Sequence, residues 1–446
     1  MEKSMSDSDS TLSVQESAVT DTDYSKNQSP KPSDDRPREA ILYIGPLDIG
    51  SAAGKTINGV VTRLRDACEK QSRTGSSKWS IEWHSGAVTM SDDSSSPKTH
   101  HVATILRKDG EEETPEFDIF EYAWAAYLTE SWERQNIIVR IFRTILALLH
   151  VRTFIRFFKL SPSRAKKGRL QLVLAVGVVV VVALYSVFLI WAAIDAVNHF
   201  DELPIIGDAS AKITIPQLIM IAMTTLGIPA FSKLRNSISL IGSGLLSASA
   251  YLRTTDRRGI LMHGLSEQAE RFRENDRYRS ATLISYSFGS ILAIDALFPK
   301  EHPPELAFEK IKKLVTIGSA YDFVKATAPQ YFKDRHAAPG VPERWINVYA
   351  PIDLLGSSFT KNIKKPGKAY ITVAKIEEVK GQKKNVKQPI ENIRYDNGMR
   401  MSFRNALEFY GFTSHGAYWG ADDTPDRNVF MFVIPKLYPE EDGHLW

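Results

Sequence analysis

The chain is poor in cysteine, in net charge and, over its first 37 residues, in apolar side chains. Its one cysteine, Cys68, excludes an intramolecular disulfide and suits a reducing compartment. Its 56 Lys and Arg against 52 Asp and Glu leave a formal charge of +4, so composition calls for no polyanion and no nucleic-acid partner is expected. Residues 1–37 are rich in Ser, Asp, Thr, Lys and Pro. They have too little to bury to offset their ordering entropy, and a disordered N-terminal tail is expected. The opening residues also lack the basic-then-apolar pattern of a secretory signal.

A further absence points elsewhere. Leu170–Ile194 runs for 25 residues without a charge, more than the roughly 20 needed to cross a hydrocarbon core. A second apolar stretch, 213–232, carries Pro216 and Pro229 near its ends, where a membrane helix tolerates them. Upstream, residues 137–160 are apolar but studded with arginine. Arg140 and Arg143 share one helical face and Arg152, Arg156 and Lys159 another, the pattern of a helix lying in the lipid interface. Basic residues flank the two apolar runs, including Lys166, Lys167 and Arg169 before the first and Lys233 and Arg235 after the second. The connecting loop holds Asp195, Asp201, Glu202 and Asp208. This bias predicts a two-span membrane protein with its N-terminus and both long soluble parts in the cytoplasm. The expected organisation is a tail (1–37), a first part of a soluble domain (38–130), a membrane region (131–255) and the second part of the domain (256–446).

Outside that region, short apolar runs alternate with helical patterns. Ile41–Ile44 reads as a buried strand that stops at Gly45-Pro46, followed by a helix over about 56–69. Trp79–Trp83, His101–Leu106 and Phe117–Trp124 read as strands, with Asp118 and Glu121 as sheet-edge or loop groups. Ile311–Ile317, Arg344–Tyr349 and Asn428–Ile434 read as later strands, and 361–388 as an exposed strand and loop. The alternation predicts an α/β fold, a mostly parallel central sheet with helices on both faces, interrupted by the two-helix hairpin.

Within this frame one stretch carries chemistry. ATLISYSFGS, 281–290, is a strand that ends in Ser-Tyr-Ser-Phe-Gly before a helical segment, SILAIDAL. A serine at such a turn stands exposed above the sheet, and the turn demands small residues two before and two after it. Ser285 and Gly289 satisfy that demand around Ser287. The N–H of Phe288 is then placed for an oxyanion. Leu47 is the better second donor, because Pro46 has no N–H. Small-x-Ser-x-Gly is short enough to recur by chance, so its weight comes from context.

A serine hydroxyl needs a histidine to take its proton, and the imidazole needs a buried carboxylate to fix its tautomer. Asp353 follows the strand Arg344–Tyr349, and His415 lies in a glycine-flanked loop near the end. Each therefore sits at a strand-to-loop transition. Asp322 is the rival acid and His444 the rival base. No cofactor or metal is expected. Gly54-Lys55-Thr56 invites a phosphate-loop reading, but the leading position of that motif holds Ile49 instead of glycine.

The chain resembles the α/β-hydrolase superfamily in its branch of serine esterases and lipases. The matching residues are ILYIG (41–45), SYSFG (285–289), RWINVYAPID (344–353) and SHGAYW (414–419). Many members have His-Gly where this chain has Ile44-Gly45, and Gly where it has Ser285. The resemblance implies an acyl-enzyme mechanism on esters, lipids or thioesters. The resulting expectation is a membrane-anchored serine hydrolase of a carboxylic ester, with a lipid or small ester as substrate. The alternatives are an inactive hydrolase-like scaffold or sensor, and a nucleotide-binding membrane protein.

Overall fold

The computed structural model describes residues 37–47, 53–72, 78–84, 99–125, 127–128, 248, 250–351, 353, 355–360, 368–376, 383–396, 414–419 and 428–439. They build a nine-stranded sheet. In chain order the elements are β1 (Arg38–Ile44), α1 (Ala53–Gln71), β2 (Lys78–Trp83), β3 (Thr99–Asp109), β4 (Glu112–Tyr122), α2 (Thr255–Glu274), β5 (Tyr278–Tyr286) and α3 (Gly289–Leu297). Then follow β6 (Ile311–Ile317), α4 (Tyr321–Thr327), β7 (Arg344–Tyr349), β8 (Lys368–Ile376), β9 (Lys383–Arg394) and α5 (Phe430–Leu437). The strand order is β2-β3-β4-β1-β5-β6-β7-β9-β8, so strands from both ends of the sequence share one sheet.

The central strands read as unbroken apolar runs because both of their faces are buried. In β1, Ala40, Leu42 and Ile44 face one core, while Ile41 and Tyr43 face the other. The first core is capped by Leu261, Leu265 and Phe272 of α2 and by the wholly buried α3. The second is capped by Val60, Val61 and Leu64 of α1 and by α5. Fully buried side chains of this size, such as Leu42, Phe272 and Phe430, each contribute roughly 1.5–3 kcal/mol of hydrophobic stabilisation.

Three expectations need correction. The sheet is mixed rather than mostly parallel. Parallel pairing is confined to β4-β1-β5-β6-β7-β9, and both flanks, β2-β3-β4 and β8-β9, are antiparallel. At β3-β4 the cause is a short connection. Gly110, at φ +69, turns β3 straight back into β4, and such a link has no room for the crossover helix that a parallel pair needs. Helices are correspondingly few among the described residues.

The predicted two-span membrane topology and localisation are also overturned. Among the described residues no helix is long and apolar enough to cross a membrane. The longest, α2, spans 20 residues but carries Asp256, Arg257, Arg258, Glu267, Glu270, Arg271, Arg273 and Glu274; the strongly apolar α3 and α5 have only nine and eight residues. The segments 137–160, 170–194 and 213–232 lie outside the described residues, as do residues 1–36 of the tail and His444.

Finally, the run read as a last strand is the helix α5. Its buried residues, Phe430, Val433, Ile434 and Leu437, recur at spacings of three, one and three, which is helical period and not alternation.

Candidate active site

Ser287 occupies the tight turn between β5 and α3. Its φ is +56, a left-handed conformation that costs a non-glycine residue about 1–2 kcal/mol. Neighbouring bonds hold it there. Its N–H donates to Ile317 O at 2.9 Å, and its carbonyl accepts from Ser290 N–H at 3.2 Å. The two small neighbours have separate reasons. The Ser285 hydroxyl is fully buried and donates to Val315 O at 3.0 Å. A Cβ on Gly289 would lie 2.4 Å from Gly45 O and 2.6 Å from Ile44 O, so only glycine lets α3 start against the end of β1.

That same contact places the loop after β1 beside the serine. The Gly45 carbonyl is fastened by Trp124 Nε1 at 3.0 Å, and the Trp124 ring stacks on Phe288. Phe288 is the N-cap of α3, so its N–H lies at the positive end of that helix. Leu47, half-buried, packs against the core cluster that contains Phe288.

Asp353 follows β7 and is 1 % exposed. Its Oδ2 lies 2.8 Å from His415 Nδ1, and His415 Nε2 lies 2.7 Å from Ser287 Oγ. An ionised carboxylate only accepts, so the Nδ1 of His415 carries the proton. Nε2 then offers its lone pair to the serine hydroxyl. The imidazole itself is only 13 % exposed. Burial acts to raise the Asp353 pKa. The charge and hydrogen bond of His415, the Tyr418 hydroxyl and the Leu355 N–H outweigh it and hold the carboxyl below its usual value.

The structure thus gathers Ser287, Asp353 and His415 into one hydrogen-bonded line. The rival acid, Asp322, sits in the first turn of α4, where its N–H donates to Ser357 Oγ at 2.8 Å. Gly54, Lys55 and Thr56 fall inside the first turn of α1, which begins at Ala53, so this backbone is helix and not an open phosphate-wrapping loop.

Two tyrosines, Tyr418 and Tyr286, also belong to the line. The Tyr418 hydroxyl donates to Asp353 Oδ2 at 2.7 Å and accepts the Ala350 N–H at 2.9 Å, entirely buried. Burial, and next the charge of Asp353, raise this phenol far above its ordinary pKa, so it stays a neutral donor. Tyr286 stacks on the His415 ring, with centroids 5.1 Å apart, and its hydroxyl donates to the His415 carbonyl. Two glycines make room. A Cβ on Gly318, at φ +54, would come within 2.8 Å of Tyr418, and one on Gly356 within 2.5 Å of Asp353 Oδ2. The His-Gly-Ala-Tyr-Trp spacing was the available signal: one 3-10 turn, Ser414–Trp419, delivers both His415 and Tyr418.

Comparison of the chain with protein-family models, curated proteins and solved structures finds no match.

Proposed function

We propose that the chain is a serine hydrolase that cleaves a carboxylic ester through an acyl-enzyme. The observation that carries this reading is the unbroken line from Ser287 Oγ through the imidazole of His415 to the buried carboxylate of Asp353, with both contacts under 3 Å. In the proposed reaction the Ser287 oxygen attacks the ester carbonyl while His415 Nε2 takes its proton. Charge gathers on the carbonyl oxygen, where the N–H groups of Phe288 and Leu47 are the assigned donors. The tetrahedral species collapses and expels the alcohol, which receives the proton from His415. Water, deprotonated by His415, then attacks the acyl-serine. The acid leaves and Ser287 recovers its proton.

Asp353 stabilises the imidazolium that forms in each half. Its low pKa supports this role, because a protonated carboxyl would have no charge to offer. A lipid substrate drew its support from nearness to a bilayer, and with no membrane-crossing helix among the described residues the class proposed is a carboxylic ester. The test is covalent labelling by a fluorophosphonate. The wild-type chain is expected to label and Ser287→Ala to remain unlabelled; equal labelling of the two would reject the assignment.

A further inference from the structure

A cavity of about 380 Å³ opens between α2, the C-terminal end of α3 and residues 299–308. It is separate from the line of Ser287, His415 and Asp353, and none of those residues borders it. Its floor is the one charged side chain in the otherwise apolar helix α3. Asp295, buried, accepts from Tyr251 at 2.6 Å and from the Tyr331 hydroxyl, and pairs with Arg335 at 2.6 Å. Burial pushes both phenols far up, so they are neutral donors.

Arg335, 3 % exposed, also donates to Phe298 O and Tyr331 O, but its Nε is buried without an acceptor among the described residues. Arg258 lies on α2 and borders the same cavity as Tyr331. Among the described residues, two guanidinium groups therefore face a single buried carboxylate, a surplus of one positive charge before the exposed rim is counted. The exposed rim carries Lys300 and His302 with Glu301 and Glu305, where water screens both signs.

The walls are apolar: Leu252, Met262, Pro299 and Phe308. Gly259 of α2 also borders the cavity. It has no positive φ, and a Cβ there would meet nothing within 4 Å. A glycine inside a helix costs about 1 kcal/mol against alanine. Neither backbone strain nor crowding explains it here; its effect is to leave the space open.

We propose that this cavity binds a monocarboxylate with a short apolar tail, the head on Arg258 and the unfilled side of Arg335, the tail along Leu252, Met262 and Phe308. The volume lies within the roughly 300–1,000 Å³ of small-molecule sites. A carboxylate matches the single surplus charge and the planar guanidinium fork. It is also the class of acid that the proposed hydrolysis releases, although binding here does not depend on that chemistry.

The test is calorimetric titration of octanoate, octanol and sulfate into the full chain and into Ser287→Ala, Arg258→Met and Gly259→Phe. Octanoate is expected to bind the wild-type chain and Ser287→Ala alike, and octanol and sulfate at least about tenfold more weakly. Arg258→Met removes the accessible cation and Gly259→Phe fills the space without a clash at Cβ; each is expected to weaken octanoate at least about tenfold at an unchanged thermal midpoint. If one variant does not fold, the other decides. Absent octanoate binding, binding unmoved by a folded variant, binding lost in Ser287→Ala, or sulfate bound as tightly would each overturn the proposal. Because Ser287→Ala retains the cavity, failure of the hydrolase reading leaves this result readable.

Discussion

Two buried aspartates sit at opposite ends of the sheet, and each has a histidine beside it. Asp353 lies past the C-terminal end of β7, with His415 Nδ1 at 2.8 Å. Asp118 lies in β4, paired with Ala40 near the start of β1, with His101 Nε2 at 3.6 Å. Both carboxyls are held below their ordinary pKa. At each, burial opposes the shift and hydrogen bonds and nearby positive charge overcome it. Each even has a hydroxyl residue close by, Ser287 at one and Thr104 at the other.

The difference lies in where the hydroxyl points. Thr104 donates straight to Asp118 Oδ1 at 2.7 Å, so its proton is already committed to the acid. Ser287 donates to the histidine nitrogen that the acid does not use. Asp118 is further surrounded by Arg38 and Arg277 and by the Tyr278 hydroxyl, which spend its charge on holding strands together. Among the described residues Asp353 meets no arginine. Its partners besides His415 are a tyrosine hydroxyl and a backbone N–H, which leave its charge for the imidazole. Composition alone would rank Thr104, His101 and Asp118 beside Ser287, His415 and Asp353; relay geometry separates them.

Removing each acid in turn should break the comparison most sharply. Asp353→Asn is expected to lower ester turnover by roughly three to four orders of magnitude, because the imidazole loses its fixed tautomer and its counter-charge. Asp118→Asn is expected to leave the turnover of the folded protein near wild type. Its cost is stability, about 3 kcal/mol by chemical denaturation, since it strands the largely buried Arg38 charge. The converse pattern would exchange the two sites' roles.

A third carboxyl sharpens the point. Glu121 lies on the same strand as Asp118, and burial alone pushes it up to about 7. In the unfolded chain its carboxyl ionises near the ordinary value, 4.5. Between those values the native state keeps a proton that the unfolded state gives up, so stability falls as pH rises. Glu121→Gln is expected to match wild type below about pH 4 and to be more stable above pH 7, by on the order of 3 kcal/mol. A difference that does not change with pH would contradict the shift.

The smallest effect is expected at Tyr418→Phe. It removes one hydrogen bond to Asp353 and leaves the Ala350 N–H unpaired, at a cost of about 1–2 kcal/mol in stability. Turnover should fall about tenfold with little change in KM, as for a group that positions the acid without touching substrate. A change in KM alone would place Tyr418 in binding instead.

How far the sequence discloses this protein varies along the chain. Ser287 and Asp353 were legible because each follows an apolar strand, and His415 because it lies in a glycine-flanked loop, in the chain order that the resemblance implies. Tyr418 and Tyr286 were not, because a buried aromatic looks the same in sequence whether its hydroxyl is idle or hydrogen-bonded. The apolar runs of β5, β6 and β7 showed their strands, but strand direction depends on connections, and one glycine turn at Gly110 reverses β4 against β3. Asp118 and Glu121 were taken for edge or loop groups, since three-residue spacing says nothing of the network that buries Asp118. In α5, β-branched and aromatic residues suggested a strand, and the three-and-four spacing of the buried ones overrode them.

The most direct measurement is the site of covalent modification. The intact protein is treated with a fluorophosphonate, digested, and the modified residue is located by tandem mass spectrometry. A single adduct on Ser287, absent in Ser287→Ala and unaffected by Thr104→Ala, is the predicted result. No adduct on the folded wild-type chain, or one on a residue other than Ser287, would contradict the account.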